Sequence, residues 1–314
     1  MKILVLGAGA VGGYFGGRLA EHGADVTFLV REARRAQLER DGLRVESPLG
    51  NVTLPVRAIL AADLEPQYDV VMLACKAYDF ASAVESIGPG LAADGCVLPL
   101  LNGISHIQLL NDRFGPGRVL GGTAQIGVML TNEGVVRHLN DWRTITFGEQ
   151  DGTMSPRVQA LAQAFPPASV DARAVDDVMQ EMWEKLVHLS TAATLTCLMR
   201  ASVGEIVRTP DGARLLRDTL DLLADVAARN GHRPSEAFMA TFRQIFSDPQ
   251  SGYTTSMLRD IEARRRIEAD HIVGFVLARA RAAGLDGQVL EIAYTHLKSY
   301  ENRRAAGRLP FGGG

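Results

Sequence analysis

Three glycines, three positively charged side chains, a glutamate, a serine and an asparagine are the residues of this sequence with types and spacing suited to chemistry. Gly7, Gly9 and Gly12 stand as Gly-x-Gly-x-x-Gly directly after the apolar run Ile3–Leu6. In that spacing the first glycine permits a tight turn out of a strand, the second lets an anion approach the backbone, and the third lets a helix pack close to the strand. The amides of the next turn, at Ala10 and Val11, then face the anion with the helix dipole behind them. The pattern predicts a pyrophosphate cradle for a dinucleotide, and with it hydride transfer. Lys185 lies in Glu181-Met-Trp-Glu-Lys185-Leu on a predicted helix, and residues 188–199 after it contain no Asp, Glu, Lys or Arg. An ammonium at the mouth of such a buried segment is partly desolvated, which lowers its pKa and makes it a proton donor. The plainer reading of Lys185 is an i,i+4 ion pair with Glu181.

Glu268 falls on an apolar stripe with Ile261, Ile272 and Phe275 if residues Met257–Ala283 form one helix. A core-facing carboxylate needs a partner. Arg264 or Arg265 one turn earlier would serve structurally, and a substrate hydroxyl would serve functionally. Ser256 precedes the same predicted helix, as its N-cap or as part of an anion site at its N-terminus. Two further polar residues follow predicted strands of an open parallel sheet, where ligands bind. Lys76 follows Val-Val-Met-Leu-Ala-Cys and Asn102 follows Val-Leu-Pro-Leu-Leu; their plain readings are a solvated lysine and an Asn-Gly turn. The second strand, Val26–Val30, leads into Arg31, with Arg34 and Arg35 close behind. NAD-binding proteins place an acid there for the ribose 2′-hydroxyl, whereas a guanidinium suits a 2′-phosphate. NADP(H) is therefore expected at Arg31, with Glu32 able to serve NAD if the strand ends one residue later.

These residues require a particular frame. Candidate strands at Lys2–Leu6, Val26–Val30, Val70–Cys75 and Cys96–Leu101 alternate with helices at Val11–His22 and Ala77–Ile87, which implies a parallel sheet covered on both faces. Val119–Gln125, Val135–Leu139 and Thr144–Phe147 read as further strands, with turns at Gly134 and Asp141. From Asp176 the period changes to 3.6, with helices at Asp176–Met199, Asp211–Asn230, Ser235–Phe246, Met257–Ala283 and Gln288–Arg303. The expected architecture is α/β: an N-terminal Rossmann-type doubly wound parallel sheet over residues 1–168, binding NADP, followed by an all-α C-terminal substrate domain over 169–314. Pro-Pro at 166–167 breaks the pattern near the boundary, and the substrate is expected in the cleft between the domains. The tail Pro310–Gly314 is expected to fray.

Composition bounds the rest. The chain has 314 residues, 46% hydrophobic and 22% charged, with net charge −3. Such a balance without a basic run argues against nucleic acid as a partner. No uninterrupted apolar stretch reaches the ~18 residues of a membrane span. The N-terminus superficially resembles a signal peptide, but Gly7 and Gly9 break its apolar run, which continues directly into an amphipathic helix. Cys75, Cys96 and Cys197 are odd in number without metal spacing, as for reduced thiols of a cytoplasmic protein. The apolar helix faces of the C-terminal domain would suffice for a homodimer, and its own core would equally account for them.

Taken in order, these positions resemble the ketopantoate reductase family (2-dehydropantoate 2-reductase) along nearly the whole chain. The resemblance rests on Gly-Ala-Gly-Ala-Val-Gly-Gly, Cys75-Lys76-Ala77, Asn102-Gly103, Trp183-Glu184-Lys185-Leu186, Thr255-Ser256-Met257 with Asp260 and Glu268 downstream, and the closing stretch Gly274–Gly284. It implies that Lys185 is the general acid protonating a ketone oxygen as NADPH delivers hydride. It further implies that Glu268 holds a substrate hydroxyl, that Ser256 and Asn102 bind the substrate, and that Lys76 and Asn102 lie near the nicotinamide and its ribose. Family members with pantoate chemistry carry asparagines one and two turns after the lysine, where this chain has Leu189 and Ala193. Loss of two hydrogen-bonding partners favours a different or less polar substrate. The readings are therefore reduction of ketopantoate to pantoate in pantothenate biosynthesis, reduction or oxidation of another 2-oxo or 2-hydroxy acid on the same fold, and an NADP(H) sensor without turnover.

Overall fold

The computed structural model describes residues 1–309, so the tail Pro310–Gly314 lies outside the described residues. The chain begins β1 (Lys2–Leu6), α1 (Ala10–Glu21), β2 (Asp25–Leu29), α2 (Glu32–Asp41), β3 (Leu43–Glu46), β4 (Val52–Leu54) and β5 (Arg57–Ile59). It continues β6 (Tyr68–Leu73), α3 (Phe80–Ile87), β7 (Leu91–Pro99), α4 (Ser105–Phe114), β8 (Leu120–Leu130), β9 (Val136–Glu149), α5 (Pro156–Ala164) and β10 (Asp171–Ala174). Helices follow: α6 (Val178–Met199), α7 (Val203–Val207), α8 (Gly212–Arg229), α9 (Glu236–Ile245), α10 (Ser256–Glu262), α11 (Phe275–Ala282) and α12 (Gln288–Ala305). Two compact units result: Met1–Asn102 with His106–Glu181, and Gly103–Ser105 with the chain from Met182 onward.

The first unit carries the expected parallel sheet, in the order β5-β2-β1-β6-β7. The chain winds outward from β1 through β2 on one side and through β6 on the other. The crevice beyond the carboxyl ends of β1 and β6 is thus the topological switch point, where ligands bind in such sheets. A second sheet, β10-β9-β3-β4 with β8 alongside β9, was not expected as such. Val135–Leu139 and Thr144–Phe147 prove to be one strand, β9, and Asp141 lies inside it rather than in a turn. The ladder from Leu120↔Glu149 to Leu130↔Val136 overrides the local preference of Asp141, and a register shift between Ile126 and Val128 takes up the irregularity. The turn at Gly134 is present, at φ 76°. Helix α2 escaped the periodic reading because Leu38 is its single buried residue.

Helix α1 packs against both sheets through glycines. A Cβ on Gly16 would meet the Phe28 ring of β2 at 2.8 Å, and one on Gly13 would meet the Val136 side chain of β9 at 2.7 Å. The buried Tyr14 hydroxyl donates to the Ser169 carbonyl at 2.8 Å. In the second unit, every residue of α6 from 186 to 197 is buried. No helix of the described residues is long and apolar enough to cross a membrane. Among the described residues no group of His, Cys, Asp and Glu is arranged to hold a metal ion.

Candidate active site

The glycine loop leaves β1 at Leu6. Gly7 has φ 94°, a left-handed backbone that glycine tolerates without Cβ strain, and its amide donates to the Leu29 carbonyl at 3.0 Å. Gly9 is the N-cap of α1, and among the described residues no side chain caps that helix. Its first amides are thus left for an external acceptor. A Cβ on Gly9 would meet nothing within 4 Å, so the loop has open space on that side. A Cβ on Gly12, by contrast, would lie 2.1 Å from the Gly7 carbonyl oxygen and 3.0 Å from the Ala74 side chain. The three glycines thus do three different jobs, and the open helix N-terminus beside Gly9 fits a pyrophosphate. Lys76 follows β6, next to β1 in the sheet: Leu6 pairs with Leu73 and the Ala74 amide donates to the Leu6 carbonyl at 3.4 Å. Lys76, half-buried, therefore emerges at the same sheet end as Gly7. Asn102 is half-buried three residues beyond β7, the neighbour of β6.

Beside the loop, β2 stops at Leu29, and Arg31 is the N-cap of α2 rather than a strand residue. Its side chain is 85% exposed and 3.8 Å from the Asp79 carboxylate, a reach that leaves the guanidinium accessible at a helix N-terminus. Arg34 is the residue that the periodic reading undervalued. Half-buried, it donates to the Ala8 carbonyl of the glycine loop at 3.0 Å and to the Gly134 carbonyl at 3.0 Å. It braces the loop against the β8–β9 turn. The signal that would have found it is the arginine pair in the first turn of an otherwise apolar-poor helix.

In the second unit, Lys185 sits on the first part of α6 with its two preceding neighbours engaged structurally. Trp183 stacks on His232 with ring centroids 5.6 Å apart. Glu184 accepts from the Ser235 amide at 2.7 Å, next to the N-terminus of α9. Lys185 itself retains some accessible surface, but the atoms packed around its ammonium are dense. Burial pushes its pKa down to about 8, and the Glu268 carboxylate opposes that shift. Burial and the Lys185 charge together push His188, one turn on, down to about 3, so it is a neutral ring, stacked on Phe242 at 4.3 Å.

Glu268 is 4% exposed, and it reaches that position differently from the expectation. The helix Met257–Ala283 is not continuous. Helix α10 ends at Glu262, Arg264 takes a left-handed φ of 58°, and the backbone regains a helical path only through a π-helical turn at Asp270–Gly274 that runs into α11. Glu268 lies in the non-helical stretch just before that turn, so Arg264 and Arg265 are not one helical turn away. Its carbonyl accepts from the Ile272 amide at 3.2 Å, anchoring the start of the turn; single π turns of this kind recur at functional sites. Thr255, not Ser256, caps α10, accepting from the Leu258 amide at 3.2 Å. Ser256 is the first helical residue and half-buried. Gly103, at φ 88°, comes so close to the π turn that a Cβ there would lie 2.8 Å from the His271 carbonyl. Leu189 and Ala193 join Met257, Leu258, Ile261, Ile267 and Ile272 in one apolar cluster. The α6 surface one and two turns beyond Lys185 is therefore hydrocarbon.

Comparison with known proteins follows this division. The model "Ketopantoate reductase PanE/ApbA" matches residues 3–152, and "Ketopantoate reductase PanE/ApbA C terminal" matches residues 177–301. An uncharacterized oxidoreductase of Bacillus subtilis, YkpB, is 34% identical over 301 residues, covering 96% of this chain and 99% of its own. The crystal structure of 2-dehydropantoate 2-reductase from Geobacter metallireducens superimposes with a TM-score of 0.86 at 29% identity, covering 95% of this chain and 99% of that one. D-mandelate dehydrogenase, solved with NADH and anilino(oxo)acetate, shares the fold at a TM-score of 0.85 and 21% identity, covering 97% and 100% of the two chains. The chain belongs to the PanE/ApbA ketopantoate reductase family of oxidoreductases.

Proposed function

We propose that this protein reduces a 2-oxo acid to the 2-hydroxy acid with NADPH, and that ketopantoate is the first substrate to test. The observation that carries this reading is the buried ammonium of Lys185, with a pKa lowered to about 8, acting beside the buried carboxylate of Glu268. The first unit would hold the dinucleotide through the amides of Ala10 and Val11, the open side of Gly9, and Lys76 and Asn102 at the sheet end. Arg31 would take the 2′-phosphate by charge-assisted hydrogen bonds. NADPH when bound supplies the hydride to the carbonyl carbon. Lys185 donates its proton to the carbonyl oxygen, so the C=O bond becomes a CH–OH and the lysine is left neutral. Glu268 keeps a proton on Lys185 near neutral pH and accepts a substrate hydroxyl, while Ser256 and Asn102 bind the rest of the substrate.

A second reading concerns the substrate alone. Leu189 and Ala193 lie in an apolar cluster, a poor partner for extra hydroxyls and a good one for a hydrocarbon side chain. A 2-oxo acid with a branched or aromatic substituent is favoured by that surface. The deciding experiment follows loss of nicotinamide absorbance with NADPH and NADH, offering ketopantoate beside 2-oxoisovalerate and benzoylformate. Preferred turnover of ketopantoate supports the first reading and preferred turnover of the less polar acids the second. Absence of turnover with all of them, while NADPH still binds, would sink both and leave cofactor sensing.

A further inference from the structure

Away from Lys185, the second unit has a cavity of about 280 Å3 where the ends of α6 and α10 meet α12. Arg200, Arg264 and Arg303 line it, with Glu262, His296 and Tyr300. Three guanidiniums and one carboxylate leave an excess of two positive charges in a small volume. None of the three arginines forms an ion pair among the described residues. Arg200 lies 6.0 Å over the Tyr300 ring, Arg303 makes one long bond of 3.5 Å to the Arg308 carbonyl, and the Arg264 carbonyl accepts from Arg304 at 3.0 Å. His296 adds a buried Nε2 without a hydrogen-bond partner among the described residues.

The backbone makes the placement specific. Helices α1, α8, α11 and α12 are each followed by a glycine of positive φ: Gly23, Gly231, Gly284 and Gly307. Glycine is the residue such helix ends favour. Arg200, after α6, and Arg264, after α10, are the two non-glycine residues of positive φ among the described residues, at 54° and 58°. Both line this one cavity. A guanidinium near a helix C-terminus is favourable at any helix end, which does not explain why the two exceptions converge.

We propose that this cavity is a binding site for a small phosphate monoester or free phosphate dianion, held by Arg200, Arg264 and Arg303. The charge excess matches a dianion, arginine is suited to its oxygens, and the volume sits at the small end for ligand sites, enough for an ester of a few carbons. The test is calorimetric titration of the full chain with inorganic phosphate and with glycerol 3-phosphate at fixed ionic strength. It is repeated with R303A, R200G and R303K. Arg303 is exposed on α12 and glycine suits the φ at position 200, so the folds should persist, which thermal melting checks. Saturable binding by the wild type, weakened at least about tenfold in R303A and in R200G but less in R303K, is expected. Tighter binding of glycerol 3-phosphate than of phosphate assigns the site to an ester, and the reverse assigns it to the free ion. Absence of saturable binding, or binding unchanged in R200G and R303A, overturns the proposal. So does binding that NADPH abolishes, which belongs to the glycine loop.

Discussion

Helices α1 and α6 are the central helices of their units, and they are buried by opposite means. Helix α1 fills its contacts with glycine. Gly12, Gly13, Gly16 and Gly17 bring backbone against Val5, Val136, Phe28 and Leu43, at distances where an added Cβ would clash. Helix α6 fills its contacts with side chains, including hydroxyls that turn back onto the helix: Thr191 donates to the Val187 carbonyl at 2.8 Å and Thr196 to the Ala192 carbonyl at 2.7 Å. One helix thus offers bare backbone amides at its N-terminus. The other offers a single charged side chain at the edge of a long uncharged run. Recognition by backbone tolerates almost no change in residue type, whereas recognition by one side chain tolerates change everywhere except there and in its immediate wall.

The sharpest test of that contrast is Lys185→Ala. We expect kcat to fall about a thousandfold with NADPH affinity unchanged; an unchanged kcat would reduce Lys185 to a structural residue. The same lysine sets two pH dependences. Under the proposed mechanism reduction needs the ammonium, so the rate should decline above about pH 8, where Lys185 loses its proton. Stability runs the other way. The folded-state pKa lies below 10.5, so the buried charge weakens the fold fully below about pH 8, and the penalty fades as pH rises toward 10.5. Lys185→Met should therefore be more stable than the wild type at neutral pH by on the order of 1 kcal/mol, an advantage that denaturant titrations at higher pH should show vanishing.

On α1 the counterpart is Gly12→Ala. Its methyl would strike the Gly7 carbonyl, which is backbone and cannot rotate away, so we expect a loss of about 3 kcal/mol and weakened NADPH binding, read by denaturant unfolding and by fluorescence titration. If the variant binds normally, the close packing at Gly12 is not what shapes the cradle. A smaller effect is expected at the wall of α6, where Leu189→Asn should shift kcat/KM toward hydroxyl-bearing 2-oxo acids by roughly tenfold relative to branched ones. The smallest is Thr194→Val. The Thr194 hydroxyl is buried without a hydrogen-bond partner among the described residues, so its removal should leave the unfolding midpoint unchanged or raise stability by up to about 1 kcal/mol; a clear loss would reveal a bond made by that hydroxyl.

Legibility in the sequence follows the same division. The glycine loop could be read because the demands of the turn, the anion and the helix packing fall on consecutive residues. The long helices of the second unit could be read because their apolar faces recur with the helical period. Glu268 falls on an apolar stripe of the linear sequence that the fold does not keep, since Arg264 and the π turn interrupt the helix. Its burial holds nonetheless, because Ile267 and Ala269 on either side of it in the chain, and Ile272 beyond, are buried in one apolar cluster. The second sheet was beyond a local reading. Strands β3 and β4 are short, β10 is half-buried, and pairs such as Val45↔Val136 join residues that only the folded chain brings together. Asp141 shows the same limit, its turn preference overruled by a ladder whose other half lies on β8.

The glycine face of α1 has one further consequence, for the way the first unit comes apart. One helix is wedged between the parallel sheet, at Val5 and Phe28, and the second sheet, at Leu43 and Val136. Neither sheet can loosen without uncovering a face of that helix, so the two should melt as a single cooperative block rather than in sequence. A dinucleotide seated at the N-terminus of α1 would then protect both sheets from hydrogen exchange, including amides of β9 far along the chain from any residue it touches.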